Sequence, residues 1–162
     1  MRRRALLAIA PAALVAGCGF QLRQAPDFEF KSIYINVSAS SPVGRELKRS
    51  IASGGKVVVV DTPAQAEVVM EILNEQRQKV VVGLGAVGQV REFELRMRLR
   101  FRLRSRDGRD LIPDAEIVRQ QDISYSETVA LAKEDEEQLV YRSLQSDIVR
   151  QVLRRLAAVK PA

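Results

Sequence analysis

Residues 93–104 constrain the fold more than any other stretch of this chain. Apolar and charged side chains alternate there one by one, and the apolar set is Phe93, Leu95, Met97, Leu99, Phe101 and Leu103. The charged set is Glu94, Arg96, Arg98, Arg100, Arg102 and Arg104. A strand separates such residues into two faces, whereas neighbours on one face of a helix recur every three or four residues. The pattern therefore predicts a long strand with one buried face and one arginine-rich face.

The segment before this strand supplies acidic partners for its arginines. Residues 66–82 predict a second long strand whose apolar side chains share one face: Val68, Met70 and Ile72. Placing Met70 opposite Phe101 also pairs Glu67 with Arg104, Glu71 with Arg100 and Glu75 with Arg96. We expect this ladder of cross-strand ion pairs.

The arginine row has an alternative interpretation as an anion-binding face. In the register above, Arg98 and Arg102 lie opposite apolar or uncharged residues. We therefore keep Arg98 and Arg102 as candidate anion-binding residues.

A strand–helix–strand unit comes earlier in the chain. Residues 31–37 alternate as a strand, and Ser40 or Ser41 is expected to cap a helix with Pro42 in its first turn. The helix has a buried stripe of Val43, Leu47 and Ile51. The four valines at 57–60 favour a strand buried on both faces. Two strands linked in this way are expected to be parallel.

The glycines of residues 83–88 match the pattern G-x-G-x-x-G. A dinucleotide site would need a helix directly after them, whereas the following residues alternate as a strand. We predict a wide hairpin loop instead. Asp107-Gly108 predicts a second hairpin, and Pro113 marks a bulge or an edge position in the strand over residues 111–125.

The last element is a helix expected over residues 128–158, with Ser126 or Thr128 as its cap. Acids at 134–137 crowd its early turns and basic residues its late turns, which suits the helix dipole. We interpret the acidic cluster as helix electrostatics and not as a metal site.

Together these elements predict an α+β fold. It is a two-layer sandwich, with two helices packed on a mixed, mostly antiparallel sheet of about four long strands. The order is β-α-β-β-β-α with a short extra strand. We expect residues 31–158 to form a single domain and residues 159–162 to form a C-terminal tail.

The composition excludes several kinds of active site. The chain has no His and a single Cys, so it cannot build a Cys/His metal site, a His-based triad or a Cys–His dyad. We expect no enzymatic activity, no metal and no cofactor.

The first residues have the order of an export signal. Arg2, Arg3 and Arg4 precede an apolar run too short to span a bilayer, and small residues lead to Cys18. Leu-Val-Ala-Gly-Cys resembles the bacterial lipoprotein signal, in which the cysteine thiol receives a diacylglycerol and the chain is cut before it. Residues 1–17 are then a signal peptide, Cys18 carries the lipid and residues 18–30 form a tether.

Removal of the signal changes the charge of the chain. The 26 basic residues fall to 23 against 20 acidic ones, which leaves a net charge of +3. Export argues against nucleic acid as a partner, whereas anionic lipid headgroups and phosphorylated glycolipids remain suitable partners.

Several of these features together resemble one family. They are the signal with Cys18, the Gly-Phe-x-Leu-Arg of residues 19–23, the order of strands and helices, and Ala-Leu-Ala-Lys-Glu at 130–134. The chain resembles the lipopolysaccharide-assembly lipoproteins, the LptE family. The resemblance implies a plug inside the outer-membrane β-barrel LptD, which helps the barrel to assemble and binds lipopolysaccharide. It also implies a lipid anchor in the inner leaflet of the outer membrane, facing the periplasm.

The resemblance also assigns residues. Cys18 matches the lipidated position, and Lys133 matches a basic residue linked to lipopolysaccharide binding. A second basic position of the family aligns near Ala86, where this chain departs from the pattern, and Arg91 is the nearest cation. The candidate lipopolysaccharide-binding residues are therefore Lys133, Arg91, Arg98 and Arg102. The alternative function is a free periplasm-facing lipoprotein that binds a small ligand or a cell-wall component without a barrel partner.

Overall fold

The computed structural model describes residues 27–125 and 130–160. The expected signal peptide, Cys18, most of the tether and the caps Ser126 and Thr128 lie outside these residues. The elements in chain order are β1 (Ser32–Asn36), α1 (Pro42–Ser53), β2 (Val58–Val60), a 3-10 turn (Pro63–Gln65), β3 (Val68–Leu84), β4 (Val90–Ser105), β5 (Asp110–Ser124) and α2 (Ala130–Ala157).

The strands form one mixed sheet in the order β2-β1-β3-β4-β5. β1 is parallel to β2 and β3, whereas β3, β4 and β5 are antiparallel. The helices and one sheet face enclose a single core, whose fully buried members include Ile33, Leu47, Met70, Leu99, Phe101, Ile148 and Val152. This confirms the predicted α+β sandwich. Three strands are long, with 17, 16 and 15 residues, and two are short, with five and three.

In the strand–helix–strand unit, the helix agrees with the prediction. The Ser41 hydroxyl accepts the N–H of Gly44 at 2.9 Å, Pro42 is in the first turn, and the predicted apolar stripe is buried. β1 and β2 are parallel, as expected. The prediction that β2 is buried on both faces is wrong, because β2 is the edge of the sheet and Val58 is 64% exposed.

The glycine-rich segment between β3 and β4 is a compact turn. The N–H of Gly85 donates to the Gln89 carbonyl at 2.8 Å, and the N–H of Gly88 donates to the Gly85 carbonyl at 3.0 Å. Gly88 has a φ of 81°, a conformation that glycine adopts without strain. A strand follows, as predicted, but the loop is tight and not wide.

The predicted register of β3 and β4 is wrong. Met70 pairs with Leu103 instead of Phe101, and Glu71 pairs with Arg102. Both registers set apolar residues opposite apolar residues, because a shift by two residues leaves an alternating pattern unchanged. The pattern therefore predicts which face is buried, but it does not distinguish between the equivalent registers.

A bulge at Leu73 changes the second half of β3. The register shifts between Ile72 and Asn74, so Glu75 lies opposite the buried Leu99. One extra residue moves the side chains that follow to the other face, as far as the next register shift after Val81. Glu75 and Arg77, which the alternation placed beside Glu71, instead face the helices. In β5, a register shift brackets Pro113 on the edge strand, which confirms that prediction.

Candidate functional site

The sheet face opposite the helices carries a ladder of arginines along β4. Arg98 contacts Glu116 at 3.2 Å, Arg104 contacts Asp110 at 3.0 Å, and Arg100 pairs with Asp114. The other two pairs are Arg102 with Glu71 and Arg96 with Glu94. Ion pairing of this face is thus observed, but three of the five acids lie on β5 and only one lies on the preceding strand, so the predicted partners were wrong.

The ladder is balanced in charge, since each of its five arginines has a different acidic partner. The hydrogen bond from Arg100, followed by its charge, holds the pKa of Asp114 below its ordinary value. Arg98 and Arg102, which the predicted register left without acids, are bound by Glu116 and Glu71. An anion on this face would have to displace a carboxylate from its arginine.

A second surface that carries cations is the cleft between the first turns of α2, the second half of β3 and the end of β5, which we call the α2 cleft. Its lining residues are Lys79, Ile123, Tyr125, Lys133, Glu134 and Glu137. The ammonium of Lys133 donates to Glu136 at 2.6 Å and to the Ser124 hydroxyl at 3.3 Å, and its side chain is only 19% exposed. A cation is disfavoured by the dipole at this end of a helix, so these contacts offset that cost.

Lys79 is the cation of the α2 cleft that the sequence analysis missed. Its ammonium lies 2.6 Å from a Glu137 carboxylate oxygen and 4.4 Å from the centre of the Phe93 ring. The Phe93 ring contacts Tyr125 edge-on, with 5.2 Å between the ring centres. The bulge at Leu73 places Lys79 on the helix side. The sequence does contain a signal for this bulge. Leu73 is apolar at a position where the alternation of residues 70–72 predicts a polar side chain.

Arg91 lies next to the α2 cleft. It is exposed at the start of β4, and its carbonyl accepts the N–H of Tyr125 at 2.8 Å. Among residues 27–125 and 130–160, Arg91 has no ion-pair partner. The structure therefore brings Arg91 and Lys133 to one end of the sheet, and it places Arg98 and Arg102 on the opposite sheet face.

The described residues contain no cluster of three or more His, Cys, Asp or Glu side chains arranged to hold a metal ion. Within the same residues, neither helix is both long and apolar enough to cross a bilayer. What the α2 cleft offers is ammonium groups beside an aromatic pair and carboxylates, an arrangement that can bind an anionic group.

Comparison with known proteins gives a family and several similar structures. The family model "LptE: Lipopolysaccharide-assembly" matches residues 30–156. A lipoprotein B from Nitrosomonas europaea, solved by NMR, is 33% identical over 86% of this chain and 91% of that one, with a TM-score of 0.76. No functionally curated protein matches in sequence.

Two crystal structures share the fold at lower identity. The rare lipoprotein B from Shewanella oneidensis is 19% identical over 79% of this chain and 95% of that one, with a TM-score of 0.68. A minor lipoprotein from Acinetobacter baumannii is 18% identical over 84% and 98%, with a TM-score of 0.66.

Proposed function

The chain belongs to the LptE family of lipopolysaccharide-assembly proteins, and from that premise we propose that it is an outer-membrane lipoprotein that works with an LptD-type β-barrel. In this role it helps the barrel to assemble, fills the barrel as a plug and binds lipopolysaccharide on its way to the cell surface. The observation that carries the proposal is the family match over nearly the whole described domain, residues 30–156. We assign the chain no catalytic step.

The anchor is proposed to be the lipid on Cys18, after removal of residues 1–17. The similar proteins from Nitrosomonas europaea and Shewanella oneidensis are named as lipoproteins, which supports this assignment. One acyl chain holds a protein only marginally, whereas two or three give stable attachment. The domain would then lie on the periplasmic side of the outer membrane.

The ladder face is suited to the role of a plug. The interior of a membrane β-barrel is polar. A surface of arginines and carboxylates that neutralise one another can meet such a wall without leaving a large excess of one charge. We therefore assign Arg98 and Arg102 to the plug surface.

Lipopolysaccharide binding is assigned to Lys133 and the neighbouring Arg91. The phosphates of the glycolipid are anionic, and a lysine ammonium offers three donors on a flexible stem. Lys133 lies in the α2 cleft, and Arg91 is exposed beside it, so two positive charges face one end of the molecule.

Lys133→Glu tests the binding site. We expect it to weaken the binding of purified lipopolysaccharide by about tenfold or more, since a hydrogen bond to a charged group contributes about 1.5–3 kcal/mol. The measurement is a binding titration, with thermal unfolding to show that the fold persists. The control is Lys56→Glu, at an exposed lysine that pairs with Asp27 and lies outside the lining of the α2 cleft. Equal affinities of Lys133→Glu and the unchanged protein would contradict the assignment.

A further inference from the structure

We propose that Lys79 is a second phosphate-binding cation of the α2 cleft, and that Glu137 and Glu136 are the counter-ions a phosphate displaces on binding. This inference rests on the proposed binding of lipopolysaccharide. It names a residue to which the sequence analysis assigned no role. It also makes the affinity of the site depend on carboxylates as well as on lysines.

The first argument is convergence. Lys79 comes from β3 and Lys133 from α2, yet both line one cleft of about 110 Å³. Sites that enclose whole small molecules measure about 300 Å³ or more, so this cleft can take only one headgroup of a larger ligand. A phosphate group that enters it meets two ammonium groups from different elements.

The second argument is that Lys79 is held in place but remains accessible. Its side chain is 38% exposed, and Glu137 and the Phe93 ring hold the ammonium at the cleft. A lysine ammonium is a compact charge with three donors, so it can keep its position over a ring while it exchanges a carboxylate for a phosphate.

The third argument concerns charge. Lys79 is bound to Glu137 and Lys133 to Glu136, so each lysine is paired with a carboxylate in the absence of a ligand, and Glu134 adds a further negative charge to the lining. A phosphate with more than one negative charge attracts two lysines more strongly than a single carboxylate does. The positive end of the α2 dipole lies at the same place, because the helix begins at Ala130.

The surroundings of Lys79 indicate a phosphate that is attached to a lipid. Exposed apolar side chains follow Lys79 along β3 and into the turn: Val80, Val81, Val82, Leu84 and Val87. An acyl chain next to the bound phosphate would cover those that share the sheet face of Lys79, such as Val81. Inorganic phosphate lacks this contact and should bind far more weakly than the glycolipid.

The test compares Lys79→Gln, Lys79→Arg and Glu137→Gln in titrations with purified lipopolysaccharide and, separately, with inorganic phosphate. We expect Lys79→Gln to weaken lipopolysaccharide binding by about fivefold and Glu137→Gln to tighten it by a few-fold, with Lys79→Arg close to the unchanged protein. The matched controls are Lys56→Gln and Asp27→Asn, which alter an exposed ion pair elsewhere and should leave the affinity unchanged.

The outcomes separate this inference from the proposed function. If Lys133→Glu weakens binding while Lys79→Gln binds normally and unfolds at the unchanged temperature, Lys79 is not a ligand and the proposed function stands. An unchanged affinity in Glu137→Gln would overturn the counter-ion role. If the unchanged protein binds no lipopolysaccharide, both fail. Equal affinities for inorganic phosphate and the glycolipid would overturn the lipid-linked ligand.

Discussion

At the scale of single residues, the ladder face is organised by local pairs such as Arg100 with Asp114. One guanidinium nitrogen of Arg100 lies 3.2 Å from the carboxylate, and a second nitrogen donates to its other oxygen. The hydrogen bond from Arg100 is the largest cause that lowers the pKa of Asp114, and the charge of Arg102 lowers this pKa further. Because Asp114 ionises more readily in the folded state, its contribution to stability is present above its unfolded pKa and is lost as the pH falls through the folded pKa.

Removing the hydrogen-bonding partner should restore an ordinary carboxyl. We expect Arg100→Gln to raise the pKa of Asp114 toward 3.8, the value of an unperturbed aspartate. Arg102→Gln should raise it less, since Arg102 acts on Asp114 through charge alone. NMR titration of the side-chain carboxyl measures both values. The pair is not the cause of the shift if Asp114 titrates identically in Arg100→Gln and the unchanged protein.

At the scale of elements, the bulge in β3 connects the sheet to both helices. After Leu73, the Glu75 carboxylate accepts hydrogen bonds from the Ser41 hydroxyl and, at 3.4 Å, from the N–H of Val43. Arg77 lies 5.2 Å from the centre of the Tyr141 ring in α2. Without the extra residue these side chains would lie on the sheet face opposite the helices. The bulge therefore allows β3 to bind the start of α1.

A negative charge at the start of α1 should be stabilising. Glu75→Gln keeps the shape of the side chain but removes that charge, and we expect it to lower the free energy of unfolding by about 0.5–1 kcal/mol. Urea unfolding measures the change. Glu92→Gln is the control, because Glu92 is an exposed carboxylate on β4. Equal losses in the two variants would show that the helix terminus is not responsible.

The same elements show how far a sequence predicts this fold. Alternation located the long strands and the buried face of β4, and capping chemistry located the start of α1, because both signals are local. The register of β3 with β4 and the edge position of β2 depend on tertiary contacts between elements. The local pattern of residues within each strand does not determine these contacts. Lys133 was proposed from a short motif, and the structure places it in the α2 cleft. Lys79 was missed because a single out-of-phase leucine changes the face on which it lies.

At the scale of the whole molecule, the ladder face and the α2 cleft have different properties. The ladder face is broad and balanced in charge, which suits a polar protein wall. The α2 cleft is small and lies beside the exposed apolar end of β3, which suits the phosphate and acyl chains of a glycolipid. Membership of the LptE family is consistent with the proposal that these two surfaces contact a barrel partner and a glycolipid.

The central claim is that this domain works inside a barrel partner, and its size after extraction tests that most directly. The measurement is gentle detergent extraction of the tagged full chain from outer membranes, followed by size-exclusion chromatography and identification of what elutes with it. We predict elution as a stable complex with a large LptD-type β-barrel protein. Elution of the chain alone, at its own size, would contradict the plug assignment and favour a free periplasm-facing lipoprotein.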